Sequence, residues 1–249
     1  MRKLLKIYGE RNTNTNYLSE LVRLNLVIDE LPGVVSPRVK RLQDKCPGHE
    51  WLRDLYFTCQ YRQTLGWKHA AVNWQRLTAT SLYETNDVTV VTLTKNPYAW
   101  LLSLYKRPYH QYGAKKLTFT EFISSPWRTV RREGVSRWVE SPVHLWNVKN
   151  SSYLNAGSVR RILNLRAEDT LIDPQRVVEC VAEVADVSRV GSFRNVLNST
   201  KDGGKDFRYY QEYYLGERWR EELDGADIKI INQRLDAALM EKFEYSFLK

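Results

Sequence analysis

Along the chain the spacing of apolar residues shifts between the two-residue period of strands and the three-to-four-residue period of helices. "LLKIYG" (4–9) reads as a strand, and "NYLSELVRLNL" (16–26) carries apolar residues at 18, 21, 22, 24 and 26, one face of a helix. "VTVVTLT" (88–94) is β-branched almost throughout, which predicts a central strand buried on both faces. "NPYAWLLSLYKR" (96–107) follows as a helix with Pro97 near its start. Further helices are expected at 118–125, 141–155, 174–186, about 211–222 and about 227–241, with a strand over 158–169. "TLGWKHA" (64–70) reads as a short strand ending in polar groups and "WQRLTATSLY" (74–83) as a helix, while residues 29–63 are rich in turn formers and show no clear period.

Strands separated by helical segments predict an α/β protein with a central parallel sheet and crossover helices. Such sheets bind ligands beyond the carboxyl ends of their strands. The polar stretches after residues 9, 67 and 94 each follow a predicted strand, so all three are expected on one edge. With 249 residues and no internal repeat, the chain is expected to form one domain over 1–249.

Charge narrows the ligand. Lys and Arg number 38 against 29 Asp and Glu, a net charge of +9, which predicts an anionic partner: a nucleotide, a sulfated or phosphorylated sugar, or nucleic acid. No apolar run reaches the roughly 20 residues of a membrane-spanning helix, and the apolar start of "MRKLLKIYG" is too short for a signal-peptide core. Cys46, Cys59 and Cys180 lie far apart, so a reducing cytoplasm is the expected location. "CPGH" (46–49) has no second ligand pair for structural zinc, and no metal is expected.

The first polar stretch is "KIYGERNTNTNYL" (6–18), where one glycine precedes seven polar residues. A strand, a polar turn and a helix present backbone N–H groups and the positive helix end to an anion, and Thr13, Asn14, Thr15 and Asn16 add side-chain donors. The same residues also suit a plain helix cap before Tyr17. The nucleotide loop G-x-x-x-x-G-K-[ST] is missing, which argues against a nucleoside triphosphatase or a nucleotide kinase. In the third stretch Lys95 ends a strand and Ser103 lies eight residues on. They suit a second phosphate, or else stand as a solvated lysine and a helix-surface serine.

Taken in order, these stretches resemble the sulfotransferases that use 3′-phosphoadenosine 5′-phosphosulfate (PAPS). In that family a first loop of the type [KR]-[ST]-G-T-[TS] binds the 5′-phosphosulfate. A later strand ends in Arg, followed at eight residues by Ser, and these bind the 3′-phosphate. Between them lies a K-T-H-like stretch with the catalytic histidine. "NTNTN" (12–16), "WKH" (67–69) and "LTKNPYAWLLS" (93–103) match in order and spacing, and weaker similarity continues through "LTFTEFI" (117–123), "SPVHLWNVKNSSYL" (141–154) and "LRAEDTLIDP" (165–174).

The resemblance implies a three-layer α/β/α, P-loop NTPase-like sulfotransferase fold. It implies PAPS as sulfuryl donor, 3′,5′-ADP as product, no metal, and a hydroxyl acceptor, with a carbohydrate or glycolipid favoured by the basic charge. His69 becomes the expected base, Lys68 an electrostatic helper and Glu10 the rival base. Arg11, Asn12, Thr13, Asn14, Thr15 and Asn16 become the phosphosulfate loop, and Lys95 and Ser103 the 3′-phosphate pair.

Two departures stand out. The family's cation falls on Asn12 and its glycine on Asn14, so Arg11 has to supply the charge, and Asn14 has to take the left-handed backbone that Asn tolerates better than most residues. Ala167 precedes Glu168 and Asp169 where the family usually has tyrosine. In "KDGGKDFR" (201–208), Lys201, Lys205 or Arg208 is expected to reach the 3′-phosphate, and "KRPYHQYGAKK" (106–116), with His110, to cover the acceptor. Trp67, Trp100, Trp127, Trp138 and Trp146 are core residues or stacking platforms. The alternative is a non-catalytic module that binds a nucleotide or nucleic acid along the same basic edge, although no nucleic-acid-binding motif is present.

Overall fold

The computed structural model describes all residues except Pro47, His110, 112–116, Ser158 and 200–202. Strand β1 (Lys3–Gly9) leads through the polar loop into helix α1 (Thr15–Asn25) and then the short β2 (Asp29–Glu30). Helices α2 (Pro37–Lys45), α3 (Trp51–Cys59), α4 (Tyr61–Thr64), α5 (Trp74–Thr78) and α6 (Ser81–Thr85) precede β3 (Asp87–Thr94). After β3 come α7 (Pro97–Lys106), α8 (Phe119–Ser124), the hairpin strands β4 (Trp127–Arg128) and β5 (Trp138–Val139), α9 (Pro142–Leu154) and β6 (Ile162–Arg166). The chain ends in α10 (Asp169–Ile172), α11 (Pro174–Ala185), α12 (Phe207–Leu215), a 3₁₀ turn at Arg218–Glu222, α13 (Gly225–Arg234) and α14 (Ala237–Lys242).

The main sheet has the order β2-β1-β3-β6 and all its pairings are parallel. Gly9 lies opposite Leu93, and Leu93 opposite Leu165, so β1, β3 and β6 finish at one level. Alternation along β1 and β3 divides their side chains between two faces. Leu5, Ile7, Val91 and Leu93 pack against Leu18, Leu21 and Val22 of α1 and Val177, Val178 and Val181 of α11. Leu4, Tyr8, Val88 and Val90 face Leu65, Trp74, Leu77 and Tyr153. Fully burying one such leucine or isoleucine contributes about 1.5–3 kcal/mol, so strand position is set by these contacts more than by the ladder. The α/β class with a parallel sheet between helices is therefore as expected.

Local signals placed the helix starts. Ser36, Asn96, Ser141 and Asp173 each cap a helix through the side chain and are each followed by proline. Thr118 and Glu121 form a capping box at α8.

Several expected elements differ. Residues 64–70 form no strand: Leu65 and Gly66 both have positive φ (56° and 89°), which breaks an extended run. Instead the segment is tied to β1. The buried Lys6 ammonium donates to the carbonyls of Thr64 (2.6 Å), Gly66 (2.5 Å) and Pro32 (3.1 Å), and burial pulls its pKa down to about 7. The illegible stretch 29–63 holds α2, α3 and α4. The helix expected at 74–83 is two helices, because Thr80 caps a second start at Ser81. The helix expected at about 211–222 begins at Phe207 and gives way to the 3₁₀ turn, and that expected at 227–241 divides where Asp236 caps α14.

Trp100, Trp127 and Trp146 are core residues of a large apolar cluster joining α7, α8, α9, α13 and α14, whereas Trp138 is 57% exposed. Among the described residues, no helix is long and apolar enough to cross a membrane, and no cluster of His, Cys, Asp or Glu could hold a metal ion.

Candidate active site

The polar loop starts at a place with no room for a side chain. A Cβ on Gly9 would meet Thr13 Oγ1 at 2.7 Å, Thr15 Cγ2 at 2.8 Å and the Leu93 carbonyl at 3.0 Å, so the loop folds tightly back over the end of β1. Thr13 donates to the Glu10 carbonyl through its hydroxyl (2.5 Å) and its N–H (3.3 Å). Asn12 and Asn14 both adopt left-handed backbone, with φ of 66° and 61°. That is the conformation a glycine would supply, and the short polar side chain of asparagine tolerates it. The Asn14 side chain makes no capping hydrogen bond to α1 and its Nδ2 lies 3.5 Å from Thr170 Oγ1. Plain helix capping therefore does not account for the polar run.

Arg11 is buried, with its guanidinium between the Trp67 ring (4.9 Å) and the Tyr109 ring (4.5 Å). The Trp67 ring also carries the Arg132 guanidinium at 4.6 Å, and Arg132 is anchored by Asp54 (2.8 Å) and by Glu50. Contacts with two aromatic rings thus hold Arg11, each cation–π contact worth about 0.5–2 kcal/mol. The Arg11 carbonyl accepts from Trp100 Nε1 (2.9 Å), and the Lys95 carbonyl accepts from Trp146 Nε1 (3.0 Å). Two core tryptophans therefore hold the backbone of the candidate site rather than a ligand.

His69 lies across the loop, edge-on to Trp67 with ring centroids 5.0 Å apart. Its Nδ1 is 2.6 Å from the Gly9 carbonyl. A carbonyl only accepts, so Nδ1 carries the hydrogen and Nε2 keeps its lone pair. Burial, followed by the Lys68 charge, holds the ring well below the usual histidine range, against the raising effect of the Gly9 hydrogen bond. Lys68 Nζ itself donates to Asn16 Oδ1, and the Lys68 carbonyl accepts from Gly9 N–H (2.8 Å).

Below pH 6.5 the unfolded chain takes up a proton that the folded His69 ring refuses, so this group makes stability fall as pH drops from 6.5 to the folded pKa. An NMR titration of the ligand-free protein is expected to show His69 still neutral at pH 6.5. A midpoint at or above 6.5 would contradict the half-buried, cation-flanked environment.

Glu10 is not exposed to the loop's mouth. Its Oε1 accepts from Arg11 N–H (2.6 Å), and its other oxygen pairs with the fully buried Lys149 of α9. Burial raises its pKa while the Lys149 charge opposes that rise.

Lys95 and Ser103 meet. Lys95 is buried, and its Nζ is 3.3 Å from Ser103 Oγ, 3.3 Å from the Asn12 carbonyl and 3.5 Å from the centre of the Tyr214 ring. Burial raises the Tyr214 hydroxyl, but the Lys95 charge and hydrogen bonds with Lys95 and Ser103 bring it below its ordinary value. A cleft of about 330 Å³ opens here, lined by loop residues, by Ser103 and Lys106 of α7, and by Tyr210 and Tyr214 of α12. Lys205 also lines it, with Nζ 4.5 Å from the Tyr209 ring. Arg208 is on the exposed side of α12, paired with Glu212, and Lys201 and His110 lie outside the described residues. Glu168 spans Asn96 N–H (3.0 Å) and the Tyr245 hydroxyl (2.8 Å).

Lys149, Tyr109, Tyr214 and Arg132 were not singled out from the sequence. Tyr214 alone had a usable signal: "FRYYQEYYL" (207–215) repeats tyrosine pairs at four-residue spacing, and Tyr209 stacks on Tyr213 as Tyr210 does on Tyr214.

The parallel sheet flanked by helices has the sulfotransferase fold, as comparison with solved structures shows. The chain superposes on the sulfotransferase domain of the olefin synthase from Synechococcus PCC 7002 with a TM-score of 0.51 and 16% identity, over 100% of this chain and 96% of that one. It matches the sulfotransferase domain from the curacin biosynthetic pathway with a TM-score of 0.50 and 11% identity, over 100% and 99%. At these identities the likeness is one of fold. No protein-family model and no curated protein sequence matches the chain.

Proposed function

We propose that the protein is a PAPS-dependent sulfotransferase that sulfates a hydroxyl group, with a carbohydrate or glycolipid as acceptor. One observation carries the reading: the same short loop is gripped on one side by His69, at the Gly9 carbonyl, and on the other by Lys95, at the Asn12 carbonyl, with Ser103 beside it. A base and a cation–hydroxyl pair on opposite flanks of one anion-type loop suit a donor with a reacting group at one end and a second phosphate at the other. The cleft beside the loop and Ser103 supports a nucleotide-sized ligand, since about 330 Å³ lies within the usual range of roughly 300–1,000 Å³ for ligand pockets, and its lining offers cationic and hydroxyl donors plus aromatic faces. The basic excess of +9 favours an acceptor that carries negative charge.

PAPS supplies an activated sulfuryl group, and the chain's residues align and polarise it. His69 Nε2 takes the acceptor hydroxyl proton as the new O–S bond forms. The bond from sulfur to the bridging oxygen breaks, and Arg11 with the loop N–H groups meets the charge that collects on the departing phosphate oxygen. Lys68 adds positive potential from its place on Asn16. Glu10 holds the loop instead of acting as the base, because both of its oxygens are engaged.

Thermal-shift titrations with 3′,5′-ADP, ATP and AMP test the donor. Selective stabilisation by 3′,5′-ADP is expected, and Lys95→Met or Ser103→Ala should weaken its affinity about tenfold to a hundredfold, the worth of a charge-assisted hydrogen bond. Equal response to all three nucleotides, or undiminished affinity in both variants, would remove the proposed 3′-phosphate site.

A further inference from the structure

The buried ammonium of Lys149 is the strongest feature near the site that the proposed chemistry leaves unused. It lies within α9, fully removed from solvent. An ammonium has three N–H bonds, and three acceptors surround it: the Glu10 carboxylate, Glu133 Oε2 (2.6 Å) and the backbone carbonyl of His69 (2.8 Å). Glu10 belongs to the phosphosulfate-type loop and His69 to the segment facing it, so one side chain touches both halves of the site.

The remaining contacts close a circuit. Glu10 Oε1 takes Arg11 N–H, which fixes the backbone just before it turns left-handed at Asn12. Glu133 Oε1 accepts from Val130 N–H (3.2 Å), and the Glu133 carbonyl accepts from Ala71 N–H (2.8 Å). The backbone around His69 is thus pinned at its own carbonyl by Lys149 and two residues later by Glu133. The His69 ring returns to the loop at the Gly9 carbonyl.

We infer that Lys149 is a positioning residue: it sets the distance and angle of His69 relative to the Arg11 loop, and its loss disables the base without emptying the nucleotide cleft. This rests on the sulfotransferase reading for its catalytic consequence but not for its geometry. The ammonium's contacts are with Glu10, Glu133 and the His69 carbonyl, whereas Lys95 and Ser103 meet each other, so the larger effect should fall on base placement.

Removing Lys149 alone would leave two buried carboxylates uncompensated and destabilise the fold, which would blur its effect on His69. The test is therefore the neutral triple variant Glu10→Gln, Glu133→Gln and Lys149→Met. Three readouts are compared with wild type: 3′,5′-ADP affinity, the His69 Nδ1–H resonance by NMR, and sulfuryl transfer from labelled PAPS to a panel of monosaccharides. The triple variant is expected to lose or shift the Nδ1–H resonance and to transfer tenfold to a hundredfold more slowly, as misplacement by about 1 Å predicts, with any loss of 3′,5′-ADP affinity smaller than the loss of rate.

Wild-type resonance and wild-type transfer in the triple variant would overturn the inference. If that variant does not fold, Lys149→Arg decides by the same readouts. Its planar fork cannot meet the three oxygens as a tetrahedral ammonium does, so the same selective change is expected and unchanged behaviour overturns the inference. Failure of the wild-type protein to bind 3′,5′-ADP would instead sink the sulfotransferase reading, and the His69 resonance alone would then decide the positioning role.

Discussion

Replacing His69 by alanine is expected to slow sulfuryl transfer by about a hundredfold to ten-thousandfold, the usual worth of a positioned general base, while 3′,5′-ADP affinity changes by no more than about threefold. The separation follows from geometry. The ring contacts the Gly9 carbonyl and the Trp67 ring, whereas Lys95 and Ser103 contact each other and Lys95 meets the loop at the Asn12 carbonyl. Its tautomer is set by an acceptor, so Nε2 is a base before any substrate arrives. Transfer from labelled PAPS to a sugar panel, with binding followed by calorimetry, measures both quantities. A His69→Ala enzyme that retains full activity would move the base elsewhere, and Glu10→Gln would then be the next variant to assay, despite its burial against Lys149.

The second large effect is expected at Arg11. Asn12 occupies the position where the resemblance puts a cation, and Asn12 is otherwise committed: its Nδ2 donates to the Ser103 carbonyl (3.2 Å), and its Oδ1 accepts from the Tyr109 hydroxyl. The charge next to the loop is therefore Arg11, clamped between Trp67 and Tyr109. Arg11→Ala should lower transfer by about a hundredfold to a thousandfold, comparable to the loss of one preorganised donor to a developing anion. Adding Asn12→Lys to Arg11→Ala should recover part of the rate, because a cation returns to the loop one residue on. Single-turnover rates with saturating labelled PAPS would measure this. A rate within threefold of wild type for Arg11→Ala would show that the backbone N–H groups carry the charge by themselves.

How much of this was legible depends on how local each feature is. The polar run after β1, the lysine ending β3 and the serine eight residues on were readable, since each is defined by neighbours within one strand, turn or helix. The left-handed turn at Asn14 followed from a property of asparagine itself. The segment 64–70 was misread as a strand because its apolar and polar residues satisfy a two-residue period. Its actual path is dictated by Lys6, which is 58 residues from Thr64 in sequence. Residues 29–63 gave no period because their helices are short and largely exposed, with Gln43 the buried residue of α2 and Phe57 that of α3.

Sequence alone determined the order of the chemistry: a strand into a donor-rich turn, a histidine stretch, then a strand tipped by a cation. These depend on backbone propensity and on side-chain type at fixed short spacing. Tertiary structure alone decided how each charge is paired and held. Glu10, prominent in the sequence, is paired with Lys149, a residue that nothing in the sequence singled out. A lysine can be buried only where oxygens from elsewhere satisfy all of its N–H bonds, and here they come from residues 10, 69 and 133. Arg11 likewise gains its fixed direction from Trp67 and Tyr109, which folding brings from 56 and 98 residues away.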